Sequence, residues 1–193
     1  MSGRPREFDD DAVINAAMDA FWSHGYEATS AQELVKRTGL GRGSLYNAFG
    51  SKQKLYHKAL TRYQELGIQA QWQILNGTGS LKDRLRLLMQ WGIEADLDPL
   101  KCRGCMGVFS ALERSGKDPV VARISRVYAH RLEQMLCDLF TLGQRDGEVS
   151  STQPARRLAR AFLSSYYGLR VLGRAMPDRT FLEDVIEGIL AQI

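Results

Sequence analysis

Residues 29–55, TSAQELVKRTGLGRGSLYNAFGSKQKL, decide how this chain folds. Ser30 stands where a helix N-cap is needed, and Glu33 three residues later completes the pattern of a capping box. Leu34 and Val35 are the apolar residues of that first short helix, and Gly39 falls where a turn requires a backbone free of Cβ strain. A second short helix is predicted over Arg42–Phe49, with Leu45 and Phe49 four residues apart on its inner side. Its outer side shows Arg42, Ser44, Tyr46 and Asn47, which donate hydrogen bonds to phosphates or base edges. Ser51 caps a third helix. Helix, glycine turn and polar-faced helix in this order are the anatomy of a helix-turn-helix with a recognition helix.

Charge is segregated along the N-terminal third. Between Leu34 and Gln64 there is no Asp or Glu, but there are Lys36, Arg37, Arg42, Lys52, Lys54, Lys58 and Arg62. From Glu7 to Glu33 the reverse holds, with Glu7, Asp9, Asp10, Asp11, Asp19, Glu27 and Glu33 and no Lys or Arg. Ahead of the acidic block lie Arg4 and Arg6. The net charge of +4 is unremarkable. Its distribution is informative, because phosphate contacts need local positive potential and not a basic total. Ordinary solvated helix faces are the alternative for such a block taken alone. Its coincidence with the turn motif favours DNA.

From Ala12 to about Leu60 the chain resembles the DNA-binding domain of TetR/AcrR-type transcriptional regulators. Phe21, Gly25, Tyr26, Thr29, Leu34, Val35, Gly39, Gly43, Ser44, Leu45, Tyr46, Phe49, Lys52 and Leu55 carry the resemblance in register. Ala48 departs from it, standing where a His or Tyr is frequent. The resemblance implies that Thr29, Tyr46 and Lys52 meet the phosphate backbone, and that Arg42, Gly43, Ser44 and Asn47 face base edges or nearby phosphates. It also implies a homodimer built from the last two helices of each subunit, an effector-binding second domain, and repression as the usual mode. The Arg4–Arg6 arm is expected to enter the adjacent minor groove, where narrow A·T tracts attract arginine.

A chain of 193 residues holds a small DNA-binding module and one larger domain. We expect a helix-turn-helix domain over residues 1–52, a connecting helix over about 52–76, and a helical ligand-binding and dimerisation domain over 53–193. The fold class is all-α. Helices are predicted over Asp9–Ser23, ending at His24-Gly25, and Lys52 to about Asn76, loosened midway by Gly67. Others are predicted over Leu81–Leu97, about Arg103–Ser115, Pro119 to about Gly143, Pro154 to about Ala175 under a Thr152 cap, and from Asp178 onward. No apolar run approaches the ~20 residues of a membrane span. The N-terminus has no apolar signal core, and a cytoplasmic location is expected.

The middle helices carry Trp91, Met106, Phe109, Tyr128, Tyr166 and Tyr167 as candidate pocket residues for an unknown small-molecule effector. Aromatic rings with polar tips suit an apolar cavity that orients its ligand with a few hydrogen bonds. Helical spacing alone does not separate a lined cavity from a filled core. Ser164, Gly168, Gly188 and Ala191 permit close helix approach at a dimer interface or within the domain's own core. Cys102 and Cys105 lie one turn apart beside Lys101 and Arg103, near a helix N-terminus. Both surroundings lower thiol pKa, so a redox-sensing or electrophile-sensing thiol is a second reading, set against burial of Cys105 as a small core residue. Cys137 and three scattered histidines do not complete a zinc site, and neither metal nor cofactor is expected. Two other classes fit the residues less well. A helical redox enzyme lacks a βαβ or nucleotide-binding pattern. A protein-interaction module would use the turn motif on a partner and would not bind duplex DNA.

Overall fold

A computed structural model describes residues 8–98 and 103–193. Among these residues there are nine helices and no strand: α1 Asp10–Ala28, α2 Ala31–Thr38, α3 Arg42–Phe49, α4 Lys52–Leu75, α5 Leu81–Leu97, α6 Met106–Arg114, α7 Pro119–Arg145, α8 Ala155–Ala175 and α9 Arg179–Leu190. The caps explain most boundaries. Asp9 Oδ1 accepts from Asp11 N at 2.9 Å, Ser51 Oγ from Lys54 N at 3.1 Å and Asp178 Oδ1 from Phe181 N at 2.9 Å. Ser80 and Asp83 form a full capping box at α5. Ser30 Oγ accepts from Glu33 N at 3.0 Å, but the reciprocal half expected there is replaced by a 2.7 Å bond from Arg37 Nε to the Glu33 carboxylate.

Two boundaries and one helix interior differ from the sequence expectation. α1 continues to Ala28, one turn beyond a kink at Gly25, whose φ of 77° is a left-handed value that favours glycine. Thr152 does not cap α8. Its hydroxyl pairs with Ser150 Oγ at 3.1 Å, while Pro154 occupies the N-cap without a side-chain bond. Gly67 leaves α4 unbroken.

α1, α2 and α3 pack around Phe21, Leu34, Leu45 and Phe49, and the first turns of α4 close this cluster with Leu55 and Tyr56. Phe21 and Tyr56 meet edge-on with ring centroids 4.9 Å apart. Burial of such side chains stabilises by about 2–3 kcal/mol each, so truncating Leu45 to Ala would cost about 2–5 kcal/mol. The same core runs on through Leu85, Met89, Leu132, Leu136, Phe140, Phe162 and Leu182. α4, 24 residues and therefore about 36 Å long, belongs to both clusters. No helix of the described residues is long and apolar enough to cross a membrane.

Candidate nucleic-acid interface and ligand cavity

α3 turns Leu45 and Phe49 into the core and leaves Arg42, Gly43, Ser44 and Asn47 exposed, with Tyr46 half-buried. The turn before it depends on Gly39, whose backbone is left-handed at φ 71° and whose N–H donates to Val35 O at 3.0 Å. Gly43 is different. A Cβ there would meet nothing within 4 Å, so no neighbour within the chain demands glycine. Lys52 Nζ stands 4.4 Å over the Tyr26 ring and donates to Glu27 O at 3.4 Å. Burial lowers its pKa, partly offset by Glu27 and Glu113. The tyrosine ring and the carbonyl hold the ammonium at the rim of the α3 face.

Two features of the predicted surface need correction. Thr29 is wholly buried, and its hydroxyl donates to Gly25 O at 2.6 Å, so the side chain fastens the α1 kink and does not present a donor to phosphate. The basic block is thinner than its composition suggests. Arg37 pairs with Glu33 and with Asp19 at 3.1 Å, and Arg62 approaches Asp11 at 3.7 Å. Arg4, Arg6 and Cys102 lie outside the described residues.

A cavity of about 360 Å³ opens among α4, α5, α6, α7 and α8. Trp91, Tyr128, Tyr166 and Tyr167 line it, with Tyr63, Gln64, Gln71, Cys105, Ser125 and Arg170. Tyr128 directs its hydroxyl away to Glu65 Oε1 at 2.5 Å, so it offers the cavity mainly its ring. Burial, with the Glu65 carboxylate, raises the Tyr128 pKa well above its ordinary value. Met106 and Phe109 belong elsewhere. They line a groove against Phe21 and Trp22 of α1. Cys105 is half-exposed at the N-cap of α6, and Tyr63 Oη donates to its Sγ at 3.7 Å. Cys137 is buried. Among the described residues no group of three or more potential ligands could hold a metal ion.

Comparison with known proteins places this geometry. Residues 13–59 match the model of bacterial regulatory proteins of the tetR family. Over 186 residues the chain is 31% identical to YezE of Bacillus subtilis, an uncharacterised HTH-type transcriptional regulator, covering 96% of each. The chain belongs to the TetR family. The HTH-type transcriptional repressor ComR of Escherichia coli is 49% identical over 61 residues, which cover 32% of this chain and 29% of ComR. A cysteine mutant of the TetR-family regulator CifR, solved with 26-bp double-strand operator DNA, superposes with a TM-score of 0.85 at 28% identity and covers 98% of both chains. This TetR-family chain is thus a helix-turn-helix transcriptional regulator, and the relatives named here are transcriptional regulators.

In this TetR-family regulator, α6 touches both the cavity and α1. Its N-terminal approach is held by Trp22 Nε1 donating to Gly104 O at 2.8 Å. At its far end the Glu113 carboxylate accepts from Tyr26 N at 3.0 Å and Glu27 N at 2.9 Å, donors released by the Gly25 kink. Arg114 lies 4.3 Å over the Tyr26 ring, and Arg103 pairs with Asp19. Below this junction Tyr56 Oη donates to Ser110 Oγ at 2.7 Å, and Asp118, the α7 N-cap, accepts from Gln53 at 2.8 Å and faces His57 Nε2 at 2.7 Å. Burial works against the Asp118 charge, yet the Gln53, His57 and Val121 N–H contacts hold its pKa down to about 2. Sequence reasoning missed Glu113, Trp22 and Asp118, because their partners are 61 to 87 residues away. α8 buries Phe162, Tyr166 and Leu169 but exposes Ala161, Ser164 and Gly168, the last at the cavity, and α9 exposes Gly188 and Ala191.

Proposed function

We propose that this TetR-family protein is a ligand-responsive repressor that binds a palindromic operator as a homodimer and releases it when a small molecule fills the α4–α8 cavity. The exposed Arg42, Gly43, Ser44 and Asn47 face, set on a helix whose other side is core, carries this reading. One eight-residue recognition helix reads only a few base pairs, whereas two on a twofold axis read half-sites about 34–36 Å apart. The small exposed residues of α8 and α9 suit the dimer contact. The ComR description supports repression, and the CifR complex supports operator binding. The cytoplasm is the compartment in which such a regulator meets DNA.

Arg42, Gly43, Ser44 and Asn47 read bases or adjacent phosphates, Tyr46 and Lys52 meet the backbone, and the Arg4–Arg6 arm enters the minor groove. Residues 1–52 act as the reading head and residues 53–193 as the effector and dimer part. Trp91, Tyr128, Tyr166 and Tyr167 contact the effector. A ligand shifts the two states only through differential affinity, and α4 and α6 pass the difference to the head. The test is selection of bound sequences from random duplex DNA, followed by salt titration of two variants. Lys52→Ala weakens binding to every sequence and flattens the salt dependence, whereas Arg42→Ala changes sequence preference. Equal losses on all operators for both variants would refute the assignment, and a monomeric mass in light scattering would remove the dimer.

A second reading makes a thiol the sensor. Cys105 favours it, since this partly exposed residue lines the cavity at the N-cap of α6, and CifR was solved with its cysteines substituted. Oxidant-dependent operator release that persists in Cys105→Ser would exclude Cys105, and persistence in Cys102→Ser would exclude the pair.

A further inference from the structure

One end of the cavity is polar and unusually built. Arg170 is the only Lys, Arg, Asp or Glu in the described lining, and it is 4% exposed. Its Nε donates to Asp96 Oδ2 at 3.3 Å, behind the wall. Arg174 also acts electrostatically on Asp96, from farther off than the Arg170 pair. The Tyr166 hydroxyl, on a residue 2% exposed, finds no partner at good hydrogen-bond geometry, although Arg170 and Gln71 lie close enough to act on it as donors. Ser125 Oγ is a second buried hydroxyl in the lining without a partner.

Glycines make the room for this group. A Cβ on Gly92 would stand 2.8 Å from the Tyr166 ring, and a Cβ on Gly173 would stand 2.7 Å from Asp96 Oδ2. An unsatisfied buried hydroxyl is costly, and a bound acceptor removes that cost. A guanidinium has five donors, of which Nε serves Asp96. Much of the remaining wall, with Ile68, Trp91, Val108 and Tyr167, is apolar or aromatic, and Gln64 and Ser125 are its polar members.

We propose that the Arg170–Tyr166–Gln71 end of the cavity is a carboxylate site, and that the effector is a small monocarboxylic acid whose aromatic or branched apolar body occupies the rest of the cavity. The inference rests on the ligand-responsive reading above and names the class of the ligand. A cationic ligand would meet Arg170 with no acidic side chain in the lining to balance it. A dianion such as a phosphate ester would bring a second charge that one guanidinium in an apolar enclosure does not compensate. At about 360 Å³ the space lies at the small end of ligand pockets.

Calorimetric titration of the full chain with benzoate, phenylacetate, 1-naphthylacetate and octanoate, each against its primary amide, tests this. At least one acid is expected to bind about 10- to 100-fold more tightly than its amide, the worth of a charge-assisted hydrogen bond. Arg170→Met is expected to erase that preference, bringing the acid's affinity to that of its amide, and Tyr166→Phe to reduce it severalfold. Should Arg170→Met fail to fold, Tyr166→Phe carries the test. No acid binding below about 1 mM, acid and amide binding alike, or a preference unchanged by Tyr166→Phe would each overturn the proposal. A neutral or cationic compound that released operator DNA would refute the carboxylate class yet uphold the ligand-responsive repressor. Failure of every compound class to release DNA would fall on that broader reading instead.

Discussion

Glu113 is the residue whose loss should separate ligand binding from DNA release. Its carboxylate caps the two N–H groups left open beyond the Gly25 kink, and a Cβ on Gly25 would press to 3.1 Å from Glu113 Oε2. Hydrogen bonds to a charged acceptor contribute about 1.5–3 kcal/mol each, and partial exposure of this pair argues for the lower end. Glu113→Ala should therefore cost about 3 kcal/mol and lower Tm by about 6–12 °C. Glu113→Gln keeps one acceptor and should lose about half as much. Since α6 is one of two helices joining cavity to head, effector affinity should survive while the effector-driven fall in operator affinity shrinks. Removing about 1–2 kcal/mol of coupling reduces that fall by about 5- to 30-fold. Urea denaturation measures the first effect, and fluorescence anisotropy of labelled operator with and without effector measures the second. Wild-type stability together with a full effector response in Glu113→Ala would refute the argument.

Gly43→Ala should stabilise the chain by about 0.5–1 kcal/mol, because helix propensity improves and the new Cβ meets nothing, while weakening operator binding if the backbone there approaches DNA. Thermal melts and gel shifts on one preparation check the two signs. The Asp118 pKa, held near 2 against an ordinary 3.8, is a depressed carboxylate. Its contribution of about 2 kcal/mol is therefore full above pH ~4 and lost as pH falls toward 2. In Asp118→Asn that part of the acid transition should vanish, and an unaltered acid-unfolding slope between these values would count against the His57–Gln53–Asp118 cluster.

The sequence made the second helix of the turn motif legible because glycines flank it and an i, i+4 apolar pair fixes its inner face. Gly41 and Gly50 bound α3 as observed. Thr29 was not legible: a threonine before a helix serves a phosphate or a carbonyl equally well, and only the Gly25 kink brings a carbonyl to 2.6 Å. Met106 and Phe109 show another limit. α6 is contacted on two sides, so periodicity revealed that they are covered without revealing that α1 covers them. Glu113 gave no local signal at all, since a lone glutamate near a helix end usually faces water. Trp91, Tyr166 and Tyr167 reached the cavity because they lie on the sides of α5 and α8 that face α4 and α6.

The recognition helix has one further consequence. α3 is bracketed by glycines, lacks a side-chain cap, and is anchored by Leu45 and Phe49 with Ala48 packed beside them. Its four exposed positions make no demand on the rest of the fold, so they form an exchangeable cassette. New operator specificities are open to this scaffold through substitutions that leave its stability nearly untouched, which allows duplicated copies to diverge in target without first acquiring compensating changes.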